Sequence, residues 1–398
     1  MQRLRQLQAG KSRMVVGLMS GTSLDGVDAV LARLEGAGEN ITFDILGFDH
    51  MPWPDALRRL ILANSTPEHS TVFDISQLNV RIAHAYAEAV ERVAAAAGHA
   101  VSDIDLVGSH GQTIHHVPFP VDCAGSDITS TLQVGDPSVL ANLLQVPVVG
   151  DFRVADMALG GQGAPLVPYF DYVCFRDEKE NRGLLNLGGI ANMTILPAGA
   201  GRSDVFAFDT GPGNMVIDAL AAMLLGEPYD DGGRCAARGR TDDSVMAALL
   251  EDAYFVREPP KSTGREYFGE PFAEQLVRRC REEMNDPGPE DILAVGTMLT
   301  VLSVYQAYAR FVRDSCTLDA LIVSGGGVRN HYLMDRLANV FAPIPVRAIG
   351  EYGIRSDAKE ALCFAVLAHE AVNGAETNLP SVTGASRATT LGKFCIPA

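Results

Sequence analysis

The sequence predicts an α/β protein of two lobes, and three observations carry that prediction. The chain has 398 residues, too many for one ordinary core and enough for two domains of ~150–200 residues each. Short apolar runs alternate with segments whose apolar residues recur every three or four positions, the pattern of strands interleaved with helices. Two glycine-rich turns, at Gly21 and at Gly188, each open one half of the chain between strand-like runs. No residue-for-residue repeat lies behind them, so any internal duplication is weak. The arrangement still suggests two similar lobes closing on one ligand.

The elements follow in order. Residues 1–13, MQRLRQLQAGKSR, are basic and lack both an acidic residue and the apolar stretch of a secretory signal. A disordered extension is expected there, with organelle targeting as the other reading. Val15–Leu18 and Ala29–Ala32 flank a Gly/Ser/Thr/Asp-rich turn and predict a hairpin. From Asp74 to Ala97, residues Ile75, Leu78, Ile82, Tyr86, Val90 and Val93 form one helical face, stopped by Gly98. Asp105–Gly108 is a strand that delivers GSHGQTIHH. Gly183–Leu196 is a second strand, turn and strand, and Asp291–Val312 a second long helix. The run ALIVSGGGVRN is an apolar strand ending in three glycines, and Asp357–Glu370 is helical in pattern. The first lobe is expected over residues 14–165, completed by residues 357–398, and the second over residues 166–355.

Composition narrows the function. A net charge of −17 leaves no basic stripe for nucleic acid. It leaves a nucleotide open, because backbone N–H groups and magnesium can hold a triphosphate on an acidic protein. No run approaches the ~20 apolar residues of a membrane span, so no membrane association is expected. The seven cysteines show no C-x-x-C or metal spacing, and free thiols in a reducing cytoplasm are the simplest account.

The densest chemical signal is VGLMSGTSLDGVDAVL. Gly21, Thr22, Ser23, Leu24, Asp25, Gly26, Val27 and Asp28 form a candidate phosphate hairpin of small side chains and unshielded N–H groups. Asp25 and Asp28 offer carboxylates to hydrated magnesium; a plain polar turn is the alternative. Asn186, Gly188 and Gly189 in NLGGIAN make a second phosphate hairpin, persuasive only beside the first. Gly325, Gly326 and Gly327 in SGGGVRN permit a flat purine or ribose to lie on backbone, or simply make a tight turn. Asp209, in FDTGPGN, is a candidate general base or an N-cap. Asp151, Arg153, Asp156, Gly161, Gln162 and Gly163 suit a sugar pocket, as do Ser109, His110 and Gln112. His110, His115 and His116 lack the companions of a metal site. Glu360 is either surface charge or an active-site carboxylate. No Walker or dinucleotide fingerprint occurs.

In this order, GLMSGTSLDGVDAVL, GSHGQTIHH, LQVGDPSVLA, DFRVADMALGGQGAPLVP, LLNLGGIANMTIL, FDTGPGNMVIDAL, PKSTGREYFG, VSGGGVRN and LPSVTGASRATTLG resemble the 1,6-anhydro-N-acetylmuramic acid kinase family from Gly17 to Gly392. The resemblance implies two actin-like (ribonuclease H-like) lobes with a central cleft, and ATP and Mg2+ at the Gly21 and Gly188 hairpins, with Asp25 meeting the metal through water. It implies that Asp209 activates a water that opens the anhydro bridge while the freed oxygen takes the γ-phosphoryl group. Glu360 matches a glutamate near the reacting groups. A cytoplasmic enzyme of cell-wall recycling, acting on a small anhydro sugar and possible as a homodimer, follows from the same resemblance. Two departures stand out: Val154 and Ala155 replace arginines found in some members, and residues 116–131 are longer and more apolar than the usual connection. They make a neutral sugar, as in levoglucosan kinase, the second reading. A nucleotide-gated clamp without a sugar, and a glycosidase using Asp209 with Glu360, are the readings from other classes.

Overall fold

In the computed structural model, which describes residues 2–397, the first apolar run becomes β1 (Ser12–Ser20), a strand buried on both faces. Such a strand belongs in the middle of a sheet. β2 (Gly26–Glu35) and β3 (Thr42–Pro52) continue it as an antiparallel meander. On its other side β4 (Leu106–Cys123) runs parallel to β1, and β6 (Val148–Gly150) parallel to β4. β5 (Ser126–Val134) pairs only with the outer part of β4, and β12 (Lys393–Cys395) borders β6.

Successive β1 residues point to opposite faces, and a different helix covers each. Val16 and Leu18 join the core beneath the helix Val72–Ala96. Gly17 lies against the helix Lys359–Asn373, where a Cβ would fall 1.9 Å from the Ala361 carbonyl oxygen. Gly108 on β4 does the same 2.1 Å from that of Phe364. Two glycines side by side thus let this helix ride on the sheet and set the height of its first turn, which carries Glu360.

Residues 175–357 form a second compact unit around another mixed sheet. β7 (Arg182–Leu187), β8 (Ile190–Leu196) and β9 (Phe206–Pro212) make an antiparallel meander. β10 (Ala320–Ser324) lies parallel to β7 and β11 (Val346–Ala348) parallel to β10. This repeats the β1, β2, β3, β4, β6 scheme: three antiparallel strands, then two more added parallel beside the first. The duplication that is faint residue by residue is plain in strand order, and both units are α/β lobes of the same scheme. The helix Pro289–Phe311 is long and apolar enough to cross a bilayer, yet 72% of its apolar window is buried in this unit, as befits a core helix.

Two expectations change. Residues 2–9 are a helix rather than a disordered extension, and Arg13 is a buried anchor. Its guanidinium donates to the Leu7 carbonyl at 2.9 Å, to His369 Nδ1 at 3.1 Å and to Asn373 Oδ1 at 3.0 Å. Burial lowers the His369 imidazole to about 4, so it accepts from Arg13 as a neutral ring. Met1 lies outside the described residues. The first unit also extends to Cys174 and resumes at Ala358, beyond the expected residue 165. The helix Val167–Phe175 holds it there, through Tyr169 to Glu370 and Tyr172 to Glu39.

Candidate active site

In the first unit, β1 and β2 meet in a turn whose tip is locked from within. Asp25 Oδ1 accepts from Ser23 Oγ at 2.8 Å and from the Gly26 N–H at 3.0 Å. Leu24 takes the left-handed conformation, φ 57°. Leu24 and Val27 turn their side chains into the core, so they offer a ligand only backbone. Thr22, Ser23 and Asp25 are exposed, and a Cβ on Gly21 would meet nothing but the turn's own Ser23. Asp28, at the start of β2, receives His50 Nδ1 at 2.8 Å from the neighbouring strand.

Glu360 opens the helix Lys359–Asn373 in the same neighbourhood. Burial raises its carboxyl; the Lys359 charge opposes that, Asp28 and Asp25 add to it, and Arg153 opposes it. Lys359 itself forms a 2.7 Å ion pair with Asp171, each side chain only 3% exposed. Arg153 donates through Nε and Nη2 to His110 Nε2, at 3.1 and 2.8 Å, and through Nη1 to the Gly163 carbonyl at 2.7 Å. Burial brings the guanidinium down to about 10, with Glu360 acting the other way. Burial, and then Arg153, push His110 well below its usual range. The arginine is therefore gripped by neutral acceptors, and Glu360 is the anion nearest in effect.

The sugar-pocket expectation divides. Asp156 is fully buried: Oδ2 takes the Gly163 N–H at 2.8 Å, and Oδ1 takes Asn378 Nδ2 and Thr383 Oγ1, each at 2.7 Å. It is the hub of its loop. Gly161 is required beside it, since a Cβ would fall 2.1 Å from Asp156 Oδ2. Asp151 is drawn into an ion pair with Lys393. Gln162 stays half-buried, anchored by its N–H to the Thr383 carbonyl at 2.9 Å. Gln112, fully buried, turns toward the hairpin tip and donates to the Gly21 carbonyl at 3.2 Å. Ser109 is buried, and its hydroxyl has no partner among the described residues. No cluster of three His, Cys, Asp or Glu groups occurs among the described residues, and all seven cysteines are free.

In the second unit, Asp209 sits on β9, four residues before the Gly213 cap of the helix Asn214–Leu225, so it is no N-cap. Its Oδ2 accepts the Thr263 N–H at 3.0 Å, and Tyr254 donates to its carbonyl at 2.9 Å. Burial pushes its carboxyl up to about 6, against the Thr263 bond and the Lys261 charge. The Lys261 ammonium lies over Tyr254 and Phe311, 4.7 and 4.8 Å from the ring centres, and burial lowers it to about 8. Lys261, Thr263 and Tyr254, which surround Asp209, were not singled out in the sequence as site residues: the first two lie in a loop without periodicity, and Tyr254 sits on the short helix Ala253–Val256.

The glycines of this unit pack on one another. The Gly188 and Gly189 carbonyls accept from the Asn214 and Gly213 N–H groups at 2.8 and 2.9 Å, joining the β7–β8 turn to a helix start. Gly325 (φ 86°) and Gly327 fit against Leu187, where a Cβ would stand 2.6 Å away. Asn186 Oδ1 is as close to Gly325. Gly326 alone keeps open space over its backbone, with Asn214 Nδ2 3.6 Å off.

The sequence profile described as anhydro-N-acetylmuramic acid kinase matches residues 13–397. The chain is 58% identical over 397 residues to the anhydro-N-acetylmuramic acid kinase of Salinibacter ruber, covering 100% of both chains. Against that of Caldanaerobacter subterraneus identity is 40% over 398 residues, again 100% of both. Against that of Gloeobacter violaceus it is 44%, over 95% of this chain and 97% of the other.

Proposed function

The chain belongs to the anhydro-N-acetylmuramic acid kinase family, and from that premise we propose that Asp209 is the general base of a coupled hydrolysis and phosphoryl transfer. Water attacks the anomeric carbon of 1,6-anhydro-N-acetylmuramic acid and gives its proton to Asp209 as the anhydro C–O bond breaks. The freed oxygen at position six takes the γ-phosphoryl group of ATP, leaving N-acetylmuramic acid 6-phosphate and ADP. The observation that carries the assignment is the Asp209 carboxylate. Thr263 holds one oxygen, the other has no partner among the described residues, and burial makes the group more basic than an ordinary aspartate. It stays ionised above about pH 6 and so remains competent at neutral pH.

The Gly21–Asp28 turn suits the phosphates, with exposed Thr22 and Ser23 and an unobstructed tip. Magnesium fits the first unit through water: Asp25 spends one oxygen on its own turn and keeps the other, and Mg2+ retains waters rather than needing a full protein cage. Its charge would offset that on the phosphates. The Gly188–Gly189 turn and the open face of Gly326 suit the rest of the nucleotide. Arg153 and the 161–163 loop suit the sugar. A neutral anhydro sugar is the second reading, because Nε, Nη1 and Nη2 of Arg153 already donate within the protein. Consumption of ATP in recycling wall fragments places the enzyme in the cytoplasm.

The test is ADP release with magnesium-ATP against 1,6-anhydro-N-acetylmuramic acid, levoglucosan, N-acetylmuramic acid and N-acetylglucosamine. Turnover confined to the first supports the reading, and preference for levoglucosan moves the substrate. ADP release with no sugar dependence removes the coupled reaction altogether.

A further inference from the structure

We propose that Gln112 is a positioning residue of the phosphate hairpin, and that β4 holds both the nucleotide turn and the sugar-side arginine through two neighbouring side chains. The inference rests on reading Gly21–Asp28 as the phosphate hairpin. β4 runs in register with β1 up to Leu18 opposite Ser109, but Ser20 lies opposite Gln112. One extra residue is thus inserted in β4, and Gly111 absorbs it with φ 80°. Bulges of this kind bend a strand and re-aim its side chains, and they recur beside active sites. Here the residue on each side of Gly111 becomes an anchor: His110 takes the Arg153 guanidinium, and Gln112 takes the hairpin tip.

The Gln112 amide has one sensible orientation. Nε2 faces the carbonyls of Gly21 at 3.2 Å and Thr113 at 3.3 Å, both acceptors, so the nitrogen must lie there. Oε1 is then buried without a partner among the described residues. An orphaned acceptor is costly, and a side chain held at that cost with 0% exposure has a geometric task rather than a solvent-facing one. Two further contacts hold the same turn. Ser20 Oγ, just before Gly21, meets the buried Tyr86 hydroxyl at 2.6 Å, and Arg58 Nε donates to the Leu24 carbonyl at 3.1 Å. The tip is thereby fixed at its entry, apex and exit before any phosphate arrives. Its N–H groups need no reorganisation on binding, which is where preorganised sites gain affinity.

The experiment is calorimetric titration with a non-hydrolysable ATP analogue and magnesium, alongside KM for the anhydro sugar, on Gln112→Met, Arg58→Ala, His110→Phe and Gly21→Val. Gln112→Met weakens nucleotide binding about tenfold and Arg58→Ala about threefold, while the sugar KM of both stays within about twofold of wild type. His110→Phe does the reverse. Arg58 is exposed, so its variant folds even if the buried one does not. Weakened binding by Gly21→Val with unchanged binding by both Gln112→Met and Arg58→Ala overturns the positioning role alone. A raised sugar KM in Gln112→Met would make it a sugar contact and overturn it as well. Unchanged binding by Gly21→Val removes the premise, and the proposal with it.

Discussion

Replacing Asp209 by asparagine should make the protein more stable while abolishing turnover, and the gain should depend on pH. Asp209 titrates near 6 in the folded chain instead of the usual 3.8, with burial as the leading cause. A carboxyl raised on folding contributes nothing unfavourable below pH ~3.8, where both states are neutral. As pH rises toward 6 the unfolded chain ionises first, and native stability falls until the folded carboxyl ionises too. The interval from 3.8 to about 6 is about two decades of proton affinity, so at ~1.4 kcal/mol per decade the ceiling is ~3 kcal/mol. Part of the residue's surface is exposed, which brings the expected gain to ~1–3 kcal/mol. Asparagine keeps an acceptor for the Thr263 N–H and removes the charge. For a unit of this size that is roughly 3–9 °C in melting temperature. The assay is thermal unfolding of both proteins from pH 4 to pH 8. The difference should be near zero at pH 4, open between 4 and 6, and stay flat above. A variant equally stable at every pH, or less stable at pH 8, would refute the account of Asp209 as a carboxylate held against its ionisation.

Other outcomes follow from the same contacts. Lys359→Met deprives buried Asp171 of its ion-pair partner and should cost ~3–5 kcal/mol, whereas Lys359→Met with Asp171→Leu should come within about 1 kcal/mol of wild type; chemical denaturation distinguishes them. Glu360→Gln should lower kcat by at least about 100-fold while nucleotide affinity, measured by titration, stays within about twofold. Chelation of magnesium should abolish sugar-dependent ADP release, because the metal's charge offsets that of the phosphates during transfer; a coupled ADP assay with and without chelator reads it. Thr383→Val should destabilise by ~1–3 kcal/mol through the lost bond to Asp156, read by thermal melting.

Elements with strong periodicity were legible in the sequence. The hairpin strands, the helix over Asp74–Ala97 and the helix over Asp291–Val312 all appear with small shifts at their ends. Residues 116–131 stood out in the sequence only as a long, apolar connection and were not assigned to strands; Pro118 and Pro120 lie within them. They form the β4–β5 ribbon, because a register shift between Val117 and Val121 absorbs both prolines. The amino-terminal segment misled because its basic composition hid Leu7 and Arg13, which are buried. At the candidate site, Asp28, Arg153 and Asp25 all act electrostatically on Glu360 in the first unit, a grouping that residue type and spacing did not reveal. For Asp151 and Asp156 a carboxylate among glycines reads alike whether it meets a ligand or its own loop. Only the hydrogen bonds to Asn378 and Thr383, more than two hundred residues away in sequence, separate the two.

The first unit is assembled from two distant pieces, residues 1–174 and residues 358–398, with the second unit continuous between them. Glu360, the helix that covers one face of the first sheet, and both side-chain partners of Asp156 all arrive in the later piece. On a ribosome the second unit can therefore complete its core first, while the amino-terminal sheet waits with that face bare. At ~5–20 residues per second the wait lasts roughly 10–45 s, long enough for strands such as β1 to pair wrongly. The bare interval ends only when the helix beginning at Lys359 has emerged, so production of this enzyme is most exposed to chaperone supply and to premature termination late in the message.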